Sequence, residues 1–225
     1  MPQFFLVRHG QASFGEANYD KLSALGHQQS RWLGEYYREC GIAFDALTTG
    51  EQVRHAETGQ GILDGLGTDL TADRHPGLNE FGFHDIMGAY LKAFPEQAPA
   101  NGASITEFFG VLKKAMAMWR ESMLEGPLPE TWAQFKKRVL DVMTHIQQTY
   151  CECKQVMVIS SGGAVSMWLC HMLRCADETV GELNLQIRNT SISKGFFNDR
   201  VFRLSTFNQM PHLECADRCQ SVTYS

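Results

Sequence analysis

Phe4-Phe5-Leu6-Val7 is an unbroken apolar run that ends directly in Arg8-His9-Gly10. A strand with one face in water alternates apolar and polar residues, because successive side chains point to opposite faces. An unbroken apolar run suits a strand buried on both faces, the situation in a mostly parallel sheet covered by helices. Val156-Met157-Val158-Ile159-Ser160 repeats the pattern and runs into Ser161-Gly162-Gly163, followed by a helix to about Leu173.

Between these runs, strand and helix signals alternate. Residues 3–7 predict a strand and 23–40 a helix, with Ser23 as N-cap, Trp32, Leu33, Tyr36 and Tyr37 as an apolar stripe, and Gly41 at the end. Phe44 to Thr48 predicts a second strand and Glu51 to Leu66 a second helix. Phe108, Leu112, Ala115, Met116, Trp119 and Met123 recur at helical spacing until Gly126-Pro-Leu-Pro129. Phe135, Val139, Val142, Met143 and Ile146 mark another helix, and residues near 190–197 and 200–207 read as terminal strands around a turn at Asn198-Asp199. The pattern predicts an α/β fold: a single three-layer domain over 1–225, with a mostly parallel central sheet, helices on both faces and a helical insert at about 84–150.

Composition narrows the function classes. With 44% hydrophobic residues the 225-residue chain can build a substantial core, and a net charge of −5 without basic runs disfavours nucleic acid as a partner. No run reaches the length of a membrane span, and the residues before Arg8 do not form a signal peptide, so a cytoplasmic location is expected. The odd count of seven Cys points to reduced thiols; the Cys151/Cys153 and Cys215/Cys219 spacings are not those of a zinc ribbon, and no metal is expected.

In a parallel sheet the ligand site lies beyond the carboxyl ends of the strands. That rule gathers Arg8-His9, the Thr48–Gly50 turn and Ser160–Gly163 at one edge. A phosphoryl-transfer site needs a nucleophile, cations for the equatorial oxygens and a proton donor for the leaving group. His9 is the nucleophile candidate, since a neutral imidazole can attack phosphorus in line. Arg8 adjoins it, and Arg54, early in the helix after the second strand, can reach the same edge. Two arginines can fork onto a phosphate.

These residues resemble the signature blocks of the histidine phosphatase (phosphoglycerate mutase-like) superfamily. Arg8-His9-Gly10 is similar to its first block, Thr48-Thr49-Gly50 with Arg54 and Thr58 to its second, and Leu78-Asn79-Glu80 to its third. Softer matches are Leu22–Gly26 with Gln29, Asn189–Ser193, and Phe207-Asn208 with His212-Leu213, so the resemblance spans residues 4 to about 213. It implies a phosphohistidine on His9, with Glu80 as acid and then base, no cofactor, and a small phosphorylated substrate or inorganic phosphate as ligand. The family's fourth block ends in Ser-His-Gly-Gly; here Ser161 stands at the histidine's place. Loss of one transition-state donor costs roughly 3–4 kcal/mol, ~10²–10³ in rate. The Ser161 hydroxyl and the Gly162 N–H, at a helix N-terminus that favours an anion, offset part of that loss. His84 and His55 are the two imidazoles that could supply the missing charge. The run Gln11–Gly15 lacks the tryptophan of the mutases, which favours a phosphatase; Asn18 is a further candidate for phosphate contact.

Two rival readings are weighed. A hydrolase nucleophile elbow at Ser161 fails because Ile159 stands where that motif needs glycine. A catalytically weakened phospho-ligand-binding module remains open: Ser161 favours it, and the full set of His9, Arg8, Arg54 and Glu80 favours turnover. The segment 95–130 carries no motif and is expected to form substrate-specific structure.

Overall fold

The computed structural model describes residues 1–13, 20–100 and 104–224, the side chains of 105 and 106 left aside. The first apolar run forms β1 (Gln3–Arg8). Its side chains alternate between two cores. Phe4 and Leu6 pack on one face with Trp168, Val156 and Val158, while Phe5 and Val7 pack on the other with Leu33, Tyr37 and Ile62. Burial on both faces is the reason the run is unbroken.

The sheet contains β2 (Ala46–Thr49), β3 (Ala72–Arg74), β4 (Gln155–Ser160), β5 (Ile192–Phe197) and β6 (Phe202–Gln209) in the order β3-β2-β4-β1-β5-β6. The first four strands of that order run parallel; β5 and β6 close one edge antiparallel. Helices α1 (Ala24–Glu39) and α2 (Val53–Leu66) cover one face. On the other lie α3 (Phe83–Ala93), α4 (Ile105–Arg120), α5 (Trp132–Thr149), α6 (Gly162–Leu173) and α7 (Glu178–Asn184). This is the three-layer α/β architecture the alternating pattern predicts.

Local signals account for most boundaries. The Ser23 side chain accepts from Gly26 N–H at 3.0 Å, and Gly67, at φ 75°, ends α2. Ser104 and Thr131 close capping boxes on α4 and α5. Three elements differ from expectation. β3 has the sequence Ala-Asp-Arg, too short and polar to register as a strand; it exists because β2 offers it a free edge. The seven-residue α7 is too short to show a periodic stripe: only Val180 and Leu183 turn to the core. The last strand begins at Phe202, because the Asn198 side chain ties the N–H groups of Arg200 and Val201 into the turn. Among the described residues no helix is long and apolar enough to cross a membrane.

The α1–α2 layer depends on a close backbone approach. A Cβ at Gly34 would lie 2.1 Å from the Ile62 carbonyl oxygen. Backbone cannot yield as a flexible side chain can, so Gly34→Ala should destabilise the fold by about 2–3 kcal/mol, read from the urea midpoint. An unchanged midpoint would mean that the two helices are free to separate.

Candidate active site

The parallel ladder positions the site. Arg8 is in register with Ser160 and Thr49 with Ile159. The ladder continues into the loops: His9 N–H donates to Ser160 O at 2.9 Å, and Gly50 N–H to Ile159 O at 3.1 Å. Three chain segments are thereby pinned at one edge, and Glu80 joins them after a short 3₁₀ turn at Pro76–Leu78. Arg8, His9, Arg54 and Glu80 all line one cavity of about 80 Å³. Ser161 lies fully buried beside it, and Gly162 lies against the Arg8 guanidinium. Asn18 lies outside the described residues.

The partners of His9 assign its tautomer. The ring's Nδ1 is 2.7 Å from Gly10 O, which can only accept, so Nδ1 carries the proton. Arg54 Nε–H, which can only donate, approaches Nε2 at 3.2 Å, so Nε2 holds a lone pair. Burial, then the Arg54 and Arg8 guanidiniums, push His9 well below its ordinary 6.5. The result is a neutral imidazole whose basic nitrogen meets a guanidinium.

Arg54 is the hub. Its Nη1 pairs with Asp20 Oδ1 at 2.7 Å, and its Nη2 donates to Gln52 Oε1 at 2.9 Å and to Ser161 Oγ at 3.3 Å. Asp20 also accepts from Val53 N–H at 2.9 Å, at the start of α2. Arg8 Nη1 donates to the carbonyls of Ile187 and Tyr224 at 2.5 and 2.8 Å, which holds its guanidinium at the cavity. Glu80 takes Gly163 N–H on Oε2 at 3.0 Å and Phe81 N–H on Oε1 at 3.1 Å. The anion at the α6 N-terminus is therefore the chain's own carboxylate.

Of the two imidazoles named for the missing charge, His84 packs against Phe83, whereas His55 Nε2 lies 2.7 Å from Ser161 Oγ. His55 is fully buried, and burial with the adjacent Arg54 pushes it well below 6.5. Its ring fits only because position 50 is glycine; a Cβ there would stand 2.1 Å from His55 Nδ1. That Nδ1 has no hydrogen-bond partner among the described residues. An orphaned buried N–H is the costlier arrangement, so the favoured tautomer puts the proton on Nε2 and donates it to Ser161. Ser161 Oγ then accepts from both His55 and Arg54, and its own proton points to Gln52 Oε1 at the long distance of 3.5 Å, a weak bond that a phosphoryl oxygen can replace. The backbone at Ser161 is ordinary extended chain (φ −103°, ψ 165°), not the strained turn of a nucleophile elbow.

Asp20 and Gln52 escape sequence reasoning. Asp20 sits in a polar stretch without a motif. Gln52 is an N-cap whose side chain caps nothing, and only that oddity marks it. Among the described residues no cluster of three or more His, Cys, Asp or Glu forms a metal-ligand set, and all seven cysteines are free.

A family model described as the Histidine phosphatase superfamily (branch 1) matches residues 4–210. The chain belongs to that superfamily. Among family relatives, a 2,3-bisphosphoglycerate-dependent phosphoglycerate mutase from Bartonella tribocorum is 26% identical over 172 residues, which cover 71% of this chain and 76% of that enzyme. The corresponding enzyme of Brucella anthropi is 34% identical over 90 residues, 37% of this chain and 44% of that one. In structure the family fold is shared with a phosphoserine phosphatase from Entamoeba histolytica in complex with phosphoserine: TM-score 0.66, 18% identity, 95% of this chain and 100% of that one. An alpha-ribazole phosphatase from Shigella flexneri superposes with TM-score 0.65 at 18% identity, over 92% and 96% of the two chains.

His9, His55 and His212, the last lowered to about 3 by burial and Arg218, are neutral in the folded chain. The unfolded chain takes up protons on them below about 6.5. The unfolded state thus binds more protons in that window, and stability should fall as pH drops from 7 toward 5. The Tm should decline across this range, less steeply in His212→Gln; a flat profile would mean these imidazoles are charged in the fold.

Proposed function

We propose that this chain hydrolyses a phosphomonoester through a phosphohistidine on His9. The observation that best supports this is the neutral Nε2 of His9, held at 3.2 Å by Arg54 in the cavity shared with Arg8 and Glu80. Nε2 attacks phosphorus and the bond to the leaving oxygen breaks, with Glu80 delivering a proton to that oxygen. Arg8 and Arg54 turn toward the equatorial oxygens and offset their charge, joined by the Gly162 N–H. Water then attacks the phosphohistidine, Glu80 takes its proton, the P–N bond breaks and phosphate leaves. The phosphatase from Entamoeba histolytica that holds phosphoserine is consistent with a small phosphorylated ligand.

His9→Ala should lose at least ~10³ of turnover on a panel of phosphate esters. Brief incubation of wild type with labelled ester, quenched in alkali, should leave label on His9, because phosphohistidine survives base and not acid. Binding without turnover or label would make the chain a phospho-ligand-binding module.

In this reading the Ser161 hydroxyl donates a hydrogen bond to the phosphoryl group, and His55 is its positioning residue. Ser161→Ala should lower kcat by about ten- to a hundredfold with little change in KM. His55→Ala should act the same way, and the double variant should be no worse than Ser161→Ala alone, because the two side chains act as one unit. Additive losses would mean that they work separately.

A further inference from the structure

The cavity has a second half that the phosphoryl chemistry does not use. Beyond Arg8, His9 and Arg54 its wall is made of Phe81, Phe83, Phe108, Phe109, Leu112 and Leu185. Phe83 opens α3, Phe108, Phe109 and Leu112 sit on α4, and Leu185 follows α7. The helices of the middle of the chain thus bring rings to the place where the alcohol of the ester must lie.

Charge is as informative as the rings. Arg8 and Arg54 are the only Lys or Arg among the described residues lining the cavity, and the reaction needs both on the phosphoryl group. The undescribed stretches cannot add another: residues 14–19 read Phe-Gly-Glu-Ala-Asn-Tyr, and 101–103 Asn-Gly-Ala. Residues 105 and 106 are Ile and Thr. Arg188 is not part of the lining; its guanidinium lies 6.0 Å over the ring of Tyr224. A leaving group with its own carboxylate or second phosphate would meet rings, Asn184 and the Glu80 carboxylate, with no cation assigned to it.

Tyr224 adds one more ring-bearing residue to the lining, and its backbone carbonyl accepts from Arg8 Nη1 at 2.8 Å. Rings pack edge-to-face or offset on such a wall, and apolar area leaves water at about 25 cal/mol per Å².

We infer that the substrate is a phosphate monoester of an uncharged, hydrophobic alcohol, aromatic by preference, and not of a hydroxy acid or amino acid. This rests on the hydrolytic reading of the same site. The test compares naphthyl phosphate, phosphoserine and phosphoglycerate as substrates of wild type, Phe108→Ala, Leu185→Arg and His9→Ala. Wild type should show kcat/KM at least about tenfold higher for naphthyl phosphate than for either charged ester. Phe108→Ala and Leu185→Arg should each narrow that ratio, the latter by adding a cation to the wall. A charged ester turned over as well as naphthyl phosphate, with all turnover lost in His9→Ala, overturns the substrate class and leaves the hydrolytic reading standing. If wild type turns over no ester, the hydrolytic reading falls, and calorimetry decides the rest: naphthyl phosphate binding at least about tenfold tighter than inorganic phosphate upholds the apolar wall, and equal affinity overturns it.

Discussion

The parallel pairing of β4 with β1 on one side and β2 on the other is the constraint from which the site follows. Each of these strands has both faces buried, so a slip by one residue would exchange the side chains delivered to the two cores. The register is therefore held by packing on both faces. With Arg8 opposite Ser160 and Thr49 opposite Ile159, the segments after three strands leave the sheet together. The phosphoryl end of the cavity forms where the sheet ends, and residues 80–83, α4 and the segment after α7 supply the rest of its wall.

Within that hollow Arg54 carries the electrostatic organisation. It is almost fully buried, and a buried guanidinium is tolerable only with partners; Asp20, Gln52, Ser161 and the His9 ring provide them. The same guanidinium lowers the proton affinity of His9 and His55. Burial first, and then this one cation, keep both imidazoles neutral. His55 and Ser161 stand together, 2.7 Å apart, at the edge where the family's fourth block has an imidazole.

Much of this is legible before any fold is known, because some residues carry their structural meaning locally. The unbroken apolar runs at Phe4–Val7 and Val156–Ile159 announce buried parallel strands, and polar or glycine residues directly after them mark the sheet edge where ligands sit. Arg8, His9, Arg54 and Glu80 are found this way or through the family blocks, and the structure brings all four to one cavity. The third parallel strand is not legible, since Ala-Asp-Arg becomes a strand only through the edge of β2. Nor is the apolar wall: Phe108 and Leu112 read as core stripe, and no periodicity tells a ring facing a cavity from a ring facing its neighbours.

By itself, the sequence determined the layers, the strand ends and the reactive groups placed at them, because hydrophobic periodicity and strand-end chemistry act over a few residues. The tertiary structure alone decided that the imidazole next to Arg54 contacts a serine 106 positions away, that Asp20, in a turn before α1, pairs with the arginine on α2, and that the α4 rings line the same cavity as His9. Those are contacts between segments far apart in the chain. Their geometry is set by how helices settle on the sheet, and that depends on the summed packing of two cores rather than on any local run of residues.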